Sequence, residues 1–184
     1  MESLQATQLL IAPPNIPDSR FRGSVILLTQ TGIQGSVGYC LNKPTSYTLQ
    51  DIIVETGVET NLNFPLYWGG PVSPSTVWML HTDEWAVSHT HRIGGGWALT
   101  SNISMFRNLA NDVIPREFRM FIGHSGWAPA QLECELMGKG PWPRDSSWLV
   151  TDCPSPEWVF EQPVDLLWES ATTLCSHQAV DSWL

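Results

Sequence analysis

The pentapeptide GHSGW, residues 123–127, places a serine between an apolar run, FRMFI, and a segment typical of a helix, PAQLECEL. Hydrolases carry a nucleophilic serine at such a strand-to-helix turn, in the pattern G-x-S-x-G, because the strained turn needs small neighbours. Here the fifth position is Trp127, and His177 is the only histidine that follows Ser125. We therefore interpret GHSGW as a tight turn in which the two glycines supply backbone freedom, and we predict no catalytic residue.

Histidines and carboxylates form the next candidate groups. His89 and His91 stand at alternate positions, which on a strand would face the same way and could share a metal ion with His81 or His124. No Cys or carboxylate stands at a standard ligand spacing from them, so we predict a polar loop, without a metal or other cofactor. We also predict no catalytic carboxylate pair: Glu133 and Glu135 are two residues apart, too close in sequence to face each other on a helix. Gln131 and Glu133 are interpreted as helix-cap and surface groups.

Two glycine-rich stretches, WGGPV and IGGGW, can in principle hold a phosphate through backbone N–H groups. Neither has the Lys-Ser/Thr of a Walker motif or a G-x-G-x-x-G before a helix, so we favour turn geometry. A binding site would arise if the GGP turn and GHSGW met in space. The residues of this one small concave site for a ligand or partner would be Asn42, Gly69, Gly70, His81, Gly126 and Trp127.

The elements that must position these residues begin with strands and end with helices. TQLLIA, GSVILLTQ and SVGYCLN are rich in Val, Ile and Leu and predict strands, the last two joined as a hairpin by TGIQG. Further strands are predicted at PLYW, TVWMLH, WALTS, REFRMFIG and SSWLVT. Helices are predicted at YTLQDIIVETG, SNISMFRNLAND and APAQLECELMG, and after Ser155 and Pro163. This order favours an α+β fold of one compact domain, residues 1–184, with a mainly antiparallel sheet curled toward a barrel and surrounded by helices.

Composition excludes several classes of protein. The chain has 184 residues with nine basic and eighteen acidic side chains, a net charge of −9. Because the basic residues are scattered, tight nucleic-acid binding is disfavoured. No segment approaches the roughly 20 apolar residues of a membrane span. The N-terminal MESLQATQLLIAPP lacks the basic start of a signal peptide, so we expect a cytoplasmic protein that does not enter the membrane.

Ten tryptophans and four cysteines are the other compositional features. Tryptophan is costly to expose, so we expect most of the ten to lie in the core or in an interface. The cysteines have no C-x-x-C spacing and are expected to be reduced.

Five separated stretches carry a resemblance to a known family. They are LLIAPP with FRGSVILL and GSVGYCLNKP, then YWGGPV, ALTS, GHSGWAPAQLECEL and VFEQPVDLLWESA, spread over about residues 8–172. With these five stretches in this order, the chain resembles a divergent member of the AlgH/YqgE family of bacterial proteins. The resemblance implies a single compact α+β domain with a barrel-like sheet. It also implies a regulatory role, through the family's name, and no accepted catalytic motif.

We therefore expect a non-enzymatic protein that regulates or binds through contacts with a protein partner. Two alternatives remain open from the sequence. One is a structural or interaction subunit that docks exposed tryptophans onto a larger assembly. The other is a small-ligand-binding protein or hydrolase that uses the glycine-rich turns. The oligomeric state and the role of His89 and His91 are not specified by the sequence.

Overall fold

The computed structural model describes residues 4–54, 57–139 and 146–181. Within them the chain forms ten strands and five α-helices, together with a 3-10 turn at Ser19–Phe21. The strands are β1 Gln8–Ile11, β2 Val25–Gln30, β3 Ser36–Cys40, β4 Pro44–Thr48, β5 Pro65–Trp68, β6 Val72–Thr82, β7 His91–Gly94, β8 Trp97–Thr100, β9 Phe118–Trp127 and β10 Leu149–Asp152. The helices are α1 Leu49–Ile53, α2 Ile103–Ala110, α3 Gln131–Leu136, α4 Pro156–Glu161 and α5 Leu167–Asp181.

One curled sheet organises the molecule. Its strand order is β10-β1-β2-β3-β9-β6-β8-β7, and every pair along this path is antiparallel. Strand β5 pairs in parallel with β9 and antiparallel with β4. The predicted single α+β domain with a mainly antiparallel, barrel-like sheet and surrounding helices is confirmed.

Local chemistry explains where most elements begin. Gly35 N–H bonds to Gly32 carbonyl at 2.9 Å and closes the turn between β2 and β3. Helix α1 begins after Thr48, whose N–H donates to the Asp51 carboxylate at 2.7 Å. Asn102 caps α2 by accepting from Ser104 N–H at 2.9 Å. These polar groups satisfy backbone donors that the first helical turn leaves free.

Three buried clusters form the core because successive strand residues point to opposite faces of the sheet. Leu9 and Ile11 of β1 pack with α4 and α5 on one face, whereas Leu10 packs toward α3 on the other. A third cluster joins β6 and β9 to α1 and α2. The predicted apolar side of α2 is confirmed by its buried residues, Met105, Phe106 and Leu109.

The structure differs from the sequence-based boundaries at several points. Strands β4 and β7 were not predicted, and residues 72–75, expected in a turn, belong to β6. Helix α5 begins at Leu167, because Leu166 N–H first closes a turn onto Pro163 carbonyl at 3.0 Å. No helix among the described residues is long and apolar enough to cross a membrane.

The eight described tryptophans are all buried or half-buried. Trp85, Trp97, Trp127 and Trp148 lie in the three core clusters. Trp142 and Trp183 lie outside the described residues, as does the basic residue Arg144. Trp85, Trp97 and Trp148 are therefore core residues in this chain.

Candidate functional site

The GHSGW segment is the last part of strand β9, and the prediction of a turn there is wrong. Gly38, Val37 and Ser36 of β3 pair with Ser125, Gly126 and Trp127 in register. The chain reverses only afterwards, where Ala130 adopts φ 60° immediately before α3. Gly123, with φ 69°, instead lets β9 lie against the backbone of Gly70 and Val72, whereas a Cβ at Gly126 would meet only side-chain atoms.

Ser125 is not presented as a nucleophile. Its side chain is 1% exposed, and its Oγ donates to the carbonyl of Gly69 at 3.0 Å. A nucleophilic serine needs a base within hydrogen-bond reach and room for a carbonyl carbon. Ser125 Oγ has neither, because its hydroxyl is directed into the backbone of the neighbouring turn.

The GGP turn does meet GHSGW in space. Gly69 N–H donates to Ile122 carbonyl at 3.0 Å, and Cys40 N–H donates to Gly69 carbonyl at 3.0 Å. A Cβ at Gly70, which has φ 151°, would collide with the His124 carbonyl, and one at Gly69 would collide with the Gly123 carbonyl. The two segments pack backbone against backbone, so Gly69 and Gly70 serve close approach.

Asn42 and His81 occupy two different structural positions. Asn42 Oδ1 accepts from Val25 N–H at 2.9 Å, and its Nδ2 donates to Gly23 carbonyl at 2.8 Å, so the side chain ties β2 to the end of β3. His81 is fully buried on β6, and its ring lies edge-on to Trp85 with centroids 5.0 Å apart.

Both ring nitrogens of His81 have partners. Nδ1 lies 2.9 Å from Thr82 carbonyl, and Nε2 lies 2.9 Å from Thr100 Oγ1. Burial lowers the pKa of His81 and favours the neutral ring. Of the six predicted site residues, the structure thus brings Gly69 and Gly70 against the strand that carries Gly126 and Trp127. It places His81 in another core cluster.

His89 and His91 do not share a strand face. His89 lies in a turn with φ 66°, whereas His91 begins β7. His89 Nδ1 lies 3.2 Å from Asn102 Nδ2 at the start of α2. Across the described ranges, no group of three or more His, Cys, Asp or Glu side chains has the arrangement of a metal site.

A buried carboxylate is the polar centre that sequence reasoning missed. Glu135 is 3% exposed, and its Oε2 accepts from Trp127 Nε1 at 3.3 Å and from Trp148 Nε1 at 3.0 Å. Its Oε1 accepts from Gln131 Nε2 at 2.9 Å. Gln131 Oε1 in turn accepts from Ala128 N–H at 3.0 Å, in the segment before α3, whereas the N-cap residue Ala130 makes no side-chain cap hydrogen bond. The only sequence signal was the i, i+4 spacing of Gln131 and Glu135 beside a tryptophan.

A surface groove of about 880 Å³ lies between α3, β10 and the turn that joins β2 to β3. Ile33, at the tip of that turn, is 95% exposed. Two carboxylates, those of Glu133 and Asp152, stand at the groove. Apolar side chains in its lining include Leu4, Ile33, Pro129, Leu136 and Val150.

This curled antiparallel sheet, with helices on both faces and a lateral apolar groove, defines a single-domain α+β protein. The chain belongs to the AlgH-like family, whose family model matches residues 9–179. The resemblance drawn from the five sequence stretches is thereby confirmed.

Relatives and solved structures agree with this assignment. A UPF0301 protein of Francisella philomiragia is 32% identical over 172 residues, covering 89% of this chain and 86% of the relative. One of Paraburkholderia phymatum is 31% identical and covers 91% and 86%. The solution structure of AlgH from Pseudomonas aeruginosa superposes with a TM-score of 0.76 at 23% identity, over 95% of this chain and 92% of that one. The crystal structure of protein DIP2367 from Corynebacterium diphtheriae gives 0.69 at 21% identity, over 92% and 86%. At these identities the two structures establish the fold.

Proposed function

We propose that this AlgH-like chain is a non-enzymatic cytoplasmic binding module that regulates through contact with a protein partner. The observation that carries the proposal is the apolar groove beside Ile33. An isoleucine that is 95% exposed at the edge of an apolar groove is typical of an interaction surface, since isolated water-facing apolar area has an unfavourable hydration free energy.

The chemistry of the groove supports one kind of partner. Its charged lining residues are the carboxylates of Glu133 and Asp152, and the whole chain carries a net charge of −9. Apolar side chains of the partner would bury against Leu136 and Val150. Lysine or arginine beside them would face the carboxylates and steer the encounter. We therefore propose a protein segment with apolar anchors flanked by basic residues.

The state of the nucleophilic groups supports the non-enzymatic part of the proposal. Ser125 Oγ is buried and bonded to a backbone carbonyl. Burial raises the pKa of the Cys153 thiol to about 12 and also raises the pKa of Cys40 and Cys175. Thiols react as thiolates, so these three are poor nucleophiles at neutral pH.

The alternative of a subunit that docks exposed tryptophans has less support. All eight described tryptophans are buried or half-buried, and the two others lie outside the described residues. The alternative of a ligand site at the glycine turns also has less support, because Gly69 and Gly70 pack directly against the β9 backbone.

Selection of random peptides displayed on phage tests the proposal with a defined probe. We expect selected peptides to carry apolar residues next to Lys or Arg, and to lose binding to the Ile33→Asp variant. Val54→Asp is the matched control, because Val54 is 77% exposed and does not line the groove. Glu133→Gln should weaken binding and reduce its salt dependence. Absence of enriched peptides, or equal binding to Ile33→Asp and wild type, would show the groove assignment to be wrong.

A further inference from the structure

Arg119 is a buried cation on strand β9. Its side chain is 8% exposed, and its guanidinium carbon lies 4.7 Å from the ring centroid of Tyr67 and 5.4 Å from that of Phe160. Its Nη1 donates to Leu41 carbonyl at 2.6 Å. Burial lowers the pKa of Arg119, yet a guanidinium keeps its charge in proteins.

No carboxylate of the described residues neutralises this charge at ion-pair distance. The ion pairs found among them are Arg20 with Asp18 and Arg116 with Glu157. The Coulombic influences on Arg119 come from Tyr67, Cys40 and Glu117, and they include no second cation. A buried charge without a partner is unfavourable, and π faces with one carbonyl compensate it only in part.

The guanidinium also has N–H groups that form no hydrogen bond with the residues the structure describes. Arginine presents five donors, and the hydrogen bond to Leu41 occupies one of them. The buried side-chain nitrogen and oxygen atoms without a partner among the described residues are Ser24 Oγ, Trp78 Nε1 and His124 Nδ1. Nε and Nη2 of Arg119 have no hydrogen bond to the described residues and are not in that group, so these two nitrogens reach the small exposed part of the side chain.

We propose that Arg119 binds the carboxylate of a small organic acid through these partly exposed N–H groups. The planar fork of a guanidinium matches the two oxygens of a carboxylate and forms paired, charge-assisted hydrogen bonds. A monoanion balances the single cation. A phosphate dianion would need a second basic group, which the surroundings of Arg119 do not supply. The rings of Tyr67 and Phe160 favour an acid with an apolar or aromatic body.

This site is separate from the proposed protein-binding groove. Arg119, Tyr67 and Phe160 do not line the groove, so failure of one proposal leaves the other standing. Glu117 is the carboxylate that competes for Arg119, because its charge raises the pKa of the guanidinium from beyond ion-pair distance. Its removal should therefore strengthen binding of an added carboxylate.

Nuclear magnetic resonance of the arginine Nε–Hε groups in the full chain tests the assignment. The probes are sodium benzoate, sodium acetate and inorganic phosphate at constant ionic strength. We expect saturable shifts of the Arg119 signal in the millimolar range, larger for benzoate than for acetate, with little effect of phosphate. Arg116 is exposed and serves as the internal reference.

Three variants test whether Arg119 is the residue that binds benzoate. Arg119→Lys keeps the charge but loses the fork, and should weaken benzoate binding at least tenfold, whereas Arg116→Lys should not. Glu117→Gln should bind benzoate more tightly than the wild type. The wild-type titration decides the question even if Arg119→Lys does not fold. An unsaturable shift, equal shifts of Arg116 and Arg119, or stronger binding of phosphate than of benzoate would each overturn the proposal.

Discussion

Trp127 donates its indole N–H to Oε2 of Glu135, 3.3 Å away, and thereby ties the end of β9 to helix α3. The same oxygen accepts from Trp148, and the two indole rings meet edge-on with centroids 6.0 Å apart. One carboxylate thus joins the end of β9, α3 and the residues that lead into β10. The GHSGW segment therefore contributes to the hydrophobic core through Trp127.

Replacing Trp127 with alanine should lower the free energy of unfolding by about 3–5 kcal/mol, the usual loss for a buried aromatic residue. The ring packs in the cluster that contains Leu132, and its removal also takes one donor from Glu135. Urea denaturation gives the measurement. Ser125→Ala is the control and should cost about 1 kcal/mol, since it removes one neutral hydrogen bond. Full stability with loss of peptide binding would instead make Trp127 a contact residue.

Glu135→Gln should lower the free energy of unfolding by about 1–3 kcal/mol, because an amide NH₂ would replace an oxygen that accepts a hydrogen bond. When the oxygen of the introduced amide accepts from the two indoles, its NH₂ group faces the NH₂ group of Gln131, and neither can accept a hydrogen bond. The side-chain oxygen of Gln131 already accepts from Ala128 N–H. Adding Gln131→Glu to the same chain provides a carboxylate oxygen that can accept from this NH₂ group. The double variant should therefore regain most of the lost stability. A double variant with additive losses would contradict this hydrogen-bond assignment.

A fluorophosphonate probe should leave Ser125 unmodified. The hydroxyl is buried and bonded to Gly69 carbonyl, so the reagent has neither access nor an activated oxygen. Mass spectrometry of the labelled protein provides the readout, with Ser125→Ala as the blank. Stoichiometric labelling at Ser125 would contradict the proposal that the protein is not an enzyme.

Stability should fall as the pH decreases below about 6.5, because two histidines of the folded core then take up protons more readily in the unfolded chain. Burial lowers the folded-state pKa of His81 and of the half-buried His124 below the ordinary value of 6.5. Their contribution is therefore present above that value and is lost on acidification. The lowered pKa values of Asp18 and Glu84 act at lower pH, below the ordinary values of 3.8 and 4.5.

Urea denaturation across this pH window measures the effect. His81→Gln and His124→Gln should each flatten the dependence of unfolding free energy on pH. Replacement of the exposed His177 by Gln is the control and should leave the slope unchanged. An unchanged slope in the double variant of His81 and His124 would refute the explanation.

The chain alone should not bind duplex DNA tightly. Eighteen acidic side chains repel the phosphate backbone, and nine scattered basic ones provide few phosphate contacts. Gel shifts with random duplex over a series of salt concentrations check this. Salt-sensitive binding at submicromolar concentration would contradict this prediction and would indicate a local basic surface despite the negative net charge.

Much of the fold follows from short-range patterns. The branched run VILLTQ, the turn TGIQG and the start of α4 after Ser155 were all identified from sequence, because strand periodicity and capping depend on neighbouring residues. The order of the elements was enough to indicate an α+β domain. The unpredicted strands β4 and β7 are short, and their pairing partners are required to hold them extended.

The candidate sites depended on contacts that the sequence does not encode locally. GHSGW has the composition of a turn, but pairing with β3 and close packing on Gly69 and Gly70 hold it as a strand. Glu135 has the spacing of a surface residue on a short helix, and only two indoles from distant segments make it a core residue. For Arg119, by contrast, the sequence alone determined the charge, because guanidinium chemistry is intrinsic to the side chain. Its isolation from carboxylates, and the aromatic rings against it, were decided by the tertiary structure, since burial and pairing arise only when strands and helices far apart in the chain come together.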